Sequence, residues 1–229
     1  MNTGLLYIVA TPIGNLEDIT MRAVRILKEA DLIFCEDTRV TKKLLDRYEI
    51  VAETRSFYKS GKSKTTKPEP NFDYILSELN SGKNIAFVTD AGTPGISDPG
   101  NLLVEKALEN NTSIIPVPGP STLATIISVA GIDLTRFVFL GFPPHKKGRE
   151  TYFKELIEFK YPVMYYESPY RVVKNLELLK TLAPEKNIIL GRELTKMFEE
   201  IVRGKVEEVL KYFSENEDKI KGEFVIVVY

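Results

Sequence analysis

One cysteine, Cys35, and one histidine, His145, are all this 229-residue chain has of two side chains central to metal binding and covalent catalysis. A lone cysteine excludes an internal disulfide, and the two together leave a Cys/His zinc site short of ligands. His145 sits among Pro144, Lys146 and Lys147 in a loop-like stretch, so neither a Ser-His-Asp nor a Cys-His system is credible. An excess of charge of one sign is also missing. With 31 Lys and Arg against 32 Asp and Glu, no global field draws nucleic acid, and any such binding must come from local patches. The longest apolar stretch, around Leu123 to Ile132, is too short and too polar to span a bilayer. The first residues run straight into an apolar strand, Leu5 to Val9, without the charged region or cleavage signal of a secretory leader. A cytoplasmic location is expected. A composition of 43% hydrophobic and 28% charged residues is that of a soluble globular protein, with room for one large domain or two of about 110 residues.

Two familiar phosphate motifs are absent. Gly61-Lys62-Ser63 resembles the end of a P-loop, but Ser56 stands where the earlier glycine is required. After the first strand the chain reads Ala10-Thr11-Pro12-Ile13-Gly14, which lacks the Gly-x-Gly-x-x-Gly of a dinucleotide fold. What is present is an alternation of apolar strands with helix-period segments, the pattern of an α/β fold with a mainly parallel sheet. Strands are expected at 5–10, 32–35, 85–88 and 113–117, with helices at 19–30, 41–47, 72–79 and 102–108. Asp18 is the expected N-cap of the first helix. Pro118 to Thr122 punctuates the chain, and the boundary placed there gives two α/β domains, residues 1–117 and 118–229. In the second, strands are expected at 137–141, 163–166, 188–191, 199–203 and 223–229, and helices near 149–158, 171–182 and 206–213.

Four Gly- or Pro-rich turns each follow an expected strand: 11–15, 89–100, 118–122 and 141–144. The richest, Thr89 to Gly100, carries three glycines, two prolines and two aspartates. Such a loop is costly for folding alone and points to a ligand approaching the backbone. In parallel sheets the loops after the strands gather on one edge, where ligands bind.

Taken in order, Tyr7 to Asp18, Glu36-Asp37-Thr38-Arg39, Thr89 to Gly100, Pro116 to Ser121, Arg192 to Lys196 and Lys221 to Val225 resemble the ribosomal RNA small-subunit methyltransferase I family of the tetrapyrrole methylase superfamily. The resemblance covers nearly the whole chain. It implies transfer of a methyl group from S-adenosylmethionine to the ribose 2′-hydroxyl of a cytidine in 16S ribosomal RNA of the small subunit. It further implies two α/β domains, a homodimer, and a cofactor held in the cleft between the domains. By motif, the cofactor would contact Pro12, the loop Asp90, Ala91, Gly92, Thr93, Pro94 and Ile96, then Ser121 and Thr122, with Tyr166 and Glu167 covering it. Methyl transfer needs no metal or covalent nucleophile, because alignment of nucleophile and methyl supplies much of the rate. The hydroxyl must still lose a proton, for which Asp37, Glu167 and Glu193 are the candidates, with Arg39 and Lys196 as positioning cations and Glu36 beside the substrate.

Ordinary structural roles compete with each assignment. Asp90 suits local turn chemistry, Glu36, Asp37 and Arg39 a solvated cluster opening a helix, Glu193 and Lys196 a surface pair, Ser121 an N-cap and Cys35 inert core. For RNA there are two basic stretches. Arg55, Lys59, Lys62, Lys64 and Lys67 surround Phe57 and Tyr58, whose rings are expected to stack on bases, and His145, Lys146, Lys147 and Arg149 form the second. Either stretch also reads as a solvated loop. The chain departs from its relatives where many carry a His- and Asn-containing stretch, here Ser56 to Lys62, and where many continue past the last strand, here ending at Tyr229. A methylase acting on a porphyrinoid or a protein side chain, and a cofactor-binding module without turnover, are the alternatives.

Overall fold

A computed structural model describes residues 3–58 and 69–229. Contacts divide the chain into two compact units, Met1–Ser121 and Thr122–Tyr229. In the first unit the elements run β1 (Leu5–Val9), α1 (Met21–Glu29), β2 (Leu32–Cys35), α2 (Thr38–Arg47), β3 (Thr54–Ser56), α3 (Phe72–Asn80), β4 (Ile85–Val88), α4 (Gly100–Glu109) and β5 (Ser113–Val117). The five strands form one sheet in the order β3-β2-β4-β1-β5, with every pairing parallel. β2 and β4 are buried at all four positions because helices cover both faces. Ile33, Cys35, Ala86 and Val88 pack with Ala23, Ile26 and Leu27 of α1 and Leu44 and Leu45 of α2. Their alternates Leu32, Phe34, Ile85 and Phe87 pack with Ile75 and Leu79 of α3 and Leu103 and Ala107 of α4.

Two local expectations fail here. Asp18 closes a short 3-10 turn at Leu16–Asp18, while Thr20 caps α1 by accepting the Ala23 amide at 3.1 Å, so the helix starts at Met21. Phe57 is 0% exposed and its ring lies edge-on to Phe87 in the core, so it has no face to offer a base.

The second unit runs α5 (Thr122–Val129), β6 (Val138–Phe139), α6 (Arg149–Glu158), β7 (Val163–Glu167), α7 (Val172–Leu182), β8 (Asn187–Arg192), β9 (Glu200–Lys205), α8 (Val206–Glu215) and β10 (Phe224–Val228). Its sheet has the order β6-β7-β10-β8-β9, and only β6 pairs with β7 in parallel. The expected mainly parallel sheet therefore holds for the first half and is corrected for the second. β9 and β10 run against β6, β7 and β8, because a short turn joins β8 to β9 and β10 enters antiparallel between β7 and β8. α6, α7 and α8 cover one face of this sheet through Phe153, Leu176, Leu179, Val209 and Phe213. α5 lies against Gly191 of β8, where an added Cβ would stand 2.9 Å from Ile126 Cδ1, so the helix sits this close only over glycine.

Candidate functional site

In the first unit, four loops leave the carboxyl ends of the parallel strands and are bonded to one another. The loops after β1 and β4 form a bridge between Thr11 and Gly92. The Thr11 amide donates to Gly92 O at 2.9 Å and the Gly92 amide returns to Thr11 O at 3.0 Å. Gly92 has φ +81, a backbone conformation other residues adopt at a cost. Thr11 Oγ1 adds a bond to Thr89 O at 3.1 Å. Thr93 Oγ1 donates to Pro120 O at 3.0 Å, which ties the β4 loop to the β5 loop. The Asp37 amide donates to Asp90 Oδ1 at 3.0 Å, which ties it to the β2 loop. Asp90 therefore does more than shape its own turn. That task falls to Asp98, not singled out from sequence, whose carboxylate accepts the Gly95 amide at 2.8 Å and the Gly100 amide at 2.7 Å. An Asp two residues before the start of a helix was the available signal.

This edge brings together Pro12, Asp90 to Ile96, Ser121, Glu36, Asp37 and Arg39 within one unit. The fourth turn, Gly141 to Pro144, follows β6 in the other sheet, and the β2 loop takes its place. Pro12, Gly92 and Pro94 are buried, whereas Asp90 and Ala91 are exposed.

The two adjacent carboxylates of the β2 loop are set apart electrostatically. Asp37 caps α2 and binds Arg39 at two points, Nε to Oδ1 at 3.0 Å and Nη2 to Oδ2 at 2.6 Å. Those bonds, with the Arg39 amide, hold its carboxyl down at about 2. Glu36 lies half-buried one residue past β2, and its Oε1 is buried without a hydrogen-bond partner among the described residues. Burial, and then the charges of Asp90 and Asp98, push its carboxyl up to about 7. The Asp90 carboxyl is raised too, by partial loss of water around the carboxylate of a residue that is otherwise exposed, an effect the hydrogen bond from the Asp37 amide opposes.

The other two expected proton acceptors lie in the second unit and are already bonded there. The Glu167 side chain is 0% exposed and pairs with Arg171 Nη2 at 2.8 Å. It also accepts the Ser168 amide at 2.7 Å and the Asn175 side-chain amide. Glu193 accepts Lys196 Nζ at 2.9 Å and the Glu223 amide at 2.9 Å, and Lys196 bonds Glu223 Oε2 at 2.9 Å. Burial would raise the Glu193 carboxyl, yet the Lys196 and Glu223 bonds hold it below the usual carboxylate range. These bonds anchor the start of α7 through Glu167 and pin the β8–β9 turn to β10 through Glu193 and Lys196. Tyr166 is half-buried against Phe139 and Phe142, and Thr122 opens α5.

Of the basic stretches, Arg55 on edge strand β3 pairs with Glu53 and lies over the Tyr74 ring at 5.2 Å, so its charge has intramolecular partners. Lys59, Lys62, Lys64 and Lys67 lie outside the described residues. His145, Lys146 and Lys147 are exposed between β6 and α6. Among the described residues no group of acidic, cysteine or histidine side chains is arranged to hold a metal, and no helix is long and apolar enough to cross a membrane.

The profile of the tetrapyrrole (corrin/porphyrin) methylases matches residues 5–210. The ribosomal RNA small subunit methyltransferase I of Leptospira biflexa is 42% identical over 98% of this chain and 90% of its own length. The protein of the same name from Borrelia garinii subsp. bavariensis is 43% identical over 98% of both chains. A solved cobalt precorrin-4 methyltransferase of cobalamin biosynthesis superposes with a TM-score of 0.67 over 97% of this chain and 94% of that one. At 17% identity that likeness shows the fold alone. Identity above 40% along almost the entire length, on a parallel sheet whose edge loops keep the expected motifs together, places the chain in the ribosomal RNA small subunit methyltransferase I family of the tetrapyrrole methylases.

Proposed function

We propose that this protein transfers the methyl group of S-adenosylmethionine to the 2′-hydroxyl of a cytidine ribose in 16S ribosomal RNA of the small subunit, in the cytoplasm and as a homodimer. The observation that carries the reading is the full-length likeness to proteins named for small-subunit ribosomal RNA methylation. The cobalamin-pathway neighbour, at 17% identity, gives no comparable support for a porphyrinoid acceptor.

The bonded edge of the first unit fits the cofactor. Glu36, Asp90 and Asp98 gather negative charge at one place, and Glu36 keeps a buried oxygen without a partner, an environment suited to a cation. We assign Pro12, Asp90, Ala91, Gly92, Thr93, Pro94, Ile96 and Ser121 to cofactor binding on that ground, and Thr122 and Tyr166 on family likeness. When bound, S-adenosylmethionine supplies an electrophilic methyl on a sulfonium. The chain's own part is orientation, exclusion of water by the buried Pro12 and Pro94, and removal of the proton that the ribose hydroxyl gives up. We assign that last step to Glu36, supported by its half-buried position on this edge and by a carboxyl raised to about 7, because a base is most effective near the working pH. Asp37, held at about 2 by Arg39, is too weak a base to compete.

The test is incubation with methyl-labelled S-adenosylmethionine and, separately, small subunits, free ribosomal RNA and a porphyrinoid. Label recovered in a cytidine ribose is expected, and label in the porphyrinoid alone would overturn the reading. Light scattering on the purified protein checks the homodimer, for which Met197 and Phe198, 91% and 66% exposed in the β8–β9 turn, offer apolar surface.

A further inference from the structure

The loop between β6 and α6 carries an exposed aromatic ring on a braced support. Phe142 is 52% exposed, and its ring rests on Tyr166 at 5.3 Å between centroids with the planes tilted by 59°. Tyr166 in turn meets Phe139 at 4.9 Å, so the outer ring is backed by two more. The backbone on either side of Phe142 is fixed. The Tyr166 amide donates to Gly141 O at 2.9 Å, which prolongs the pairing of β6 with β7. Arg171 Nη1 donates to Pro143 O at 3.0 Å, and Arg171 is itself held by the fully buried Glu167. Pro143 is buried. A ring supported in this way keeps its orientation in water, unlike one at the tip of a loose loop.

His145, Lys146 and Lys147 follow within five residues of Phe142. All three are exposed, and neither lysine has an ion-pair partner among the described residues, so both charges are available to a ligand. A flat apolar face beside unpaired ammonium groups matches the two surfaces of a single-stranded nucleotide, the base and the phosphate. A duplex buries its base faces and offers nothing to the ring. An acidic peptide would use the lysines and leave the ring idle.

We propose that Phe142 is a stacking platform for an unpaired base of the RNA substrate, with Lys146 and Lys147 contacting the phosphates next to it. The inference rests on the RNA reading above and adds to it a residue and a strand state: the recognised segment is single-stranded.

The test measures binding of a fluorescent single-stranded oligoribonucleotide and of a matched duplex, together with calorimetric titration of S-adenosylmethionine. Phe142→Ala is expected to weaken single-strand binding about tenfold or more, the usual yield of one base–aromatic stack. Duplex binding and cofactor affinity should stay as in the wild type, and Phe142→Trp should restore the loss. Reversing Lys146 and Lys147 to Glu should flatten the salt dependence of single-strand binding by about 1.4 in log–log slope. Unchanged single-strand affinity in Phe142→Ala, with methylation of small-subunit RNA intact, overturns the platform and leaves the enzymatic reading standing. A loss of cofactor affinity in its place would assign the ring to the cofactor and also overturn it. If the wild type neither binds nor methylates the RNA while still taking up cofactor, the RNA reading fails and the platform with it.

Discussion

Glu36 and Asp37 are consecutive carboxylates at the end of one strand, and their surroundings move their protons in opposite directions. Asp37 is solvent-facing and doubly bonded to Arg39, which keeps it ionised down to about pH 2. Glu36 faces Asp90 and Asp98 from the β4–α4 loop, with Tyr58 from the segment after β3 also within its field. No cation figures among the groups that shift it, so burial and like charge act unopposed and its carboxyl reaches about 7. The pH profile of kcat/KM should therefore rise through about 7 and then level. Glu36→Gln should lower kcat by a factor of about 10² to 10⁴ and remove that limb. Asp37→Asn should keep it, and a limb that survives in Glu36→Gln would exclude Glu36 as the proton acceptor. Stability gives a second check. Between the ordinary value of 4.5 and about 7 the folded protein holds a proton that the unfolded chain has lost, so stability falls as pH rises through that window and is constant above it. Glutamine in place of Glu36 has no such dependence. The advantage of the variant in Tm should grow from pH 5 to pH 8, and a constant difference would show that the carboxyl is not raised.

At the scale of elements, the junction of β7 and α7 shows how a group that looks catalytic in sequence is used to build. Glu167 ends β7 with no exposed side-chain surface, and its oxygens are taken by Arg171, Ser168 and Asn175. Glu167→Ala leaves Arg171, 13% exposed, without its counterion, a loss that for buried pairs costs about 3–5 kcal/mol. Thermal denaturation should show a drop in Tm of roughly 6–20 degrees. The molecules that remain folded should turn over near the wild-type rate. Lost turnover at unchanged Tm would return Glu167 to catalysis. Sequence alone gave no means of separating Glu167 from Glu36, because burial and partners come from distant segments. The central strands were legible because β2 and β4, sandwiched between helices, read as unbroken apolar runs. β3, Thr54–Ser56, was not legible, since an edge strand of three polar residues has no such run. The reversed strands of the second unit were legible as strands and illegible in direction, because an apolar run reads the same either way. Phe57 was misjudged for a related reason. Its neighbours Arg55 and Tyr58 are polar-tipped, and the alternation that turns the ring inward, towards Phe87 and Phe72, emerges only once β3 pairs with β2.

For the whole molecule, near-neutral charge constrains how RNA is held. With 31 basic against 32 acidic residues, long-range attraction is weak and the electrostatic part of binding must come from a small number of contacts. Lys146 and Lys147, together with the proposed contacts Lys62 and Lys64, amount to about four phosphates, which for a single strand predicts a log–log salt slope near −3. Affinity should then fall about 50-fold between 50 and 200 mM salt, well short of the thousandfold or greater loss expected for eight or more contacts. Lys62→Glu with Lys64→Glu should reduce the slope by about 1.4 and leave cofactor titrations unchanged, since those lysines are assigned to phosphate alone. A wild-type slope steeper than about −5 would mean that the RNA covers far more of the surface than these patches. An unaltered slope in the double variant would mean that the first basic stretch is solvated and takes no part, which would leave the β6–α6 loop as the principal phosphate contact.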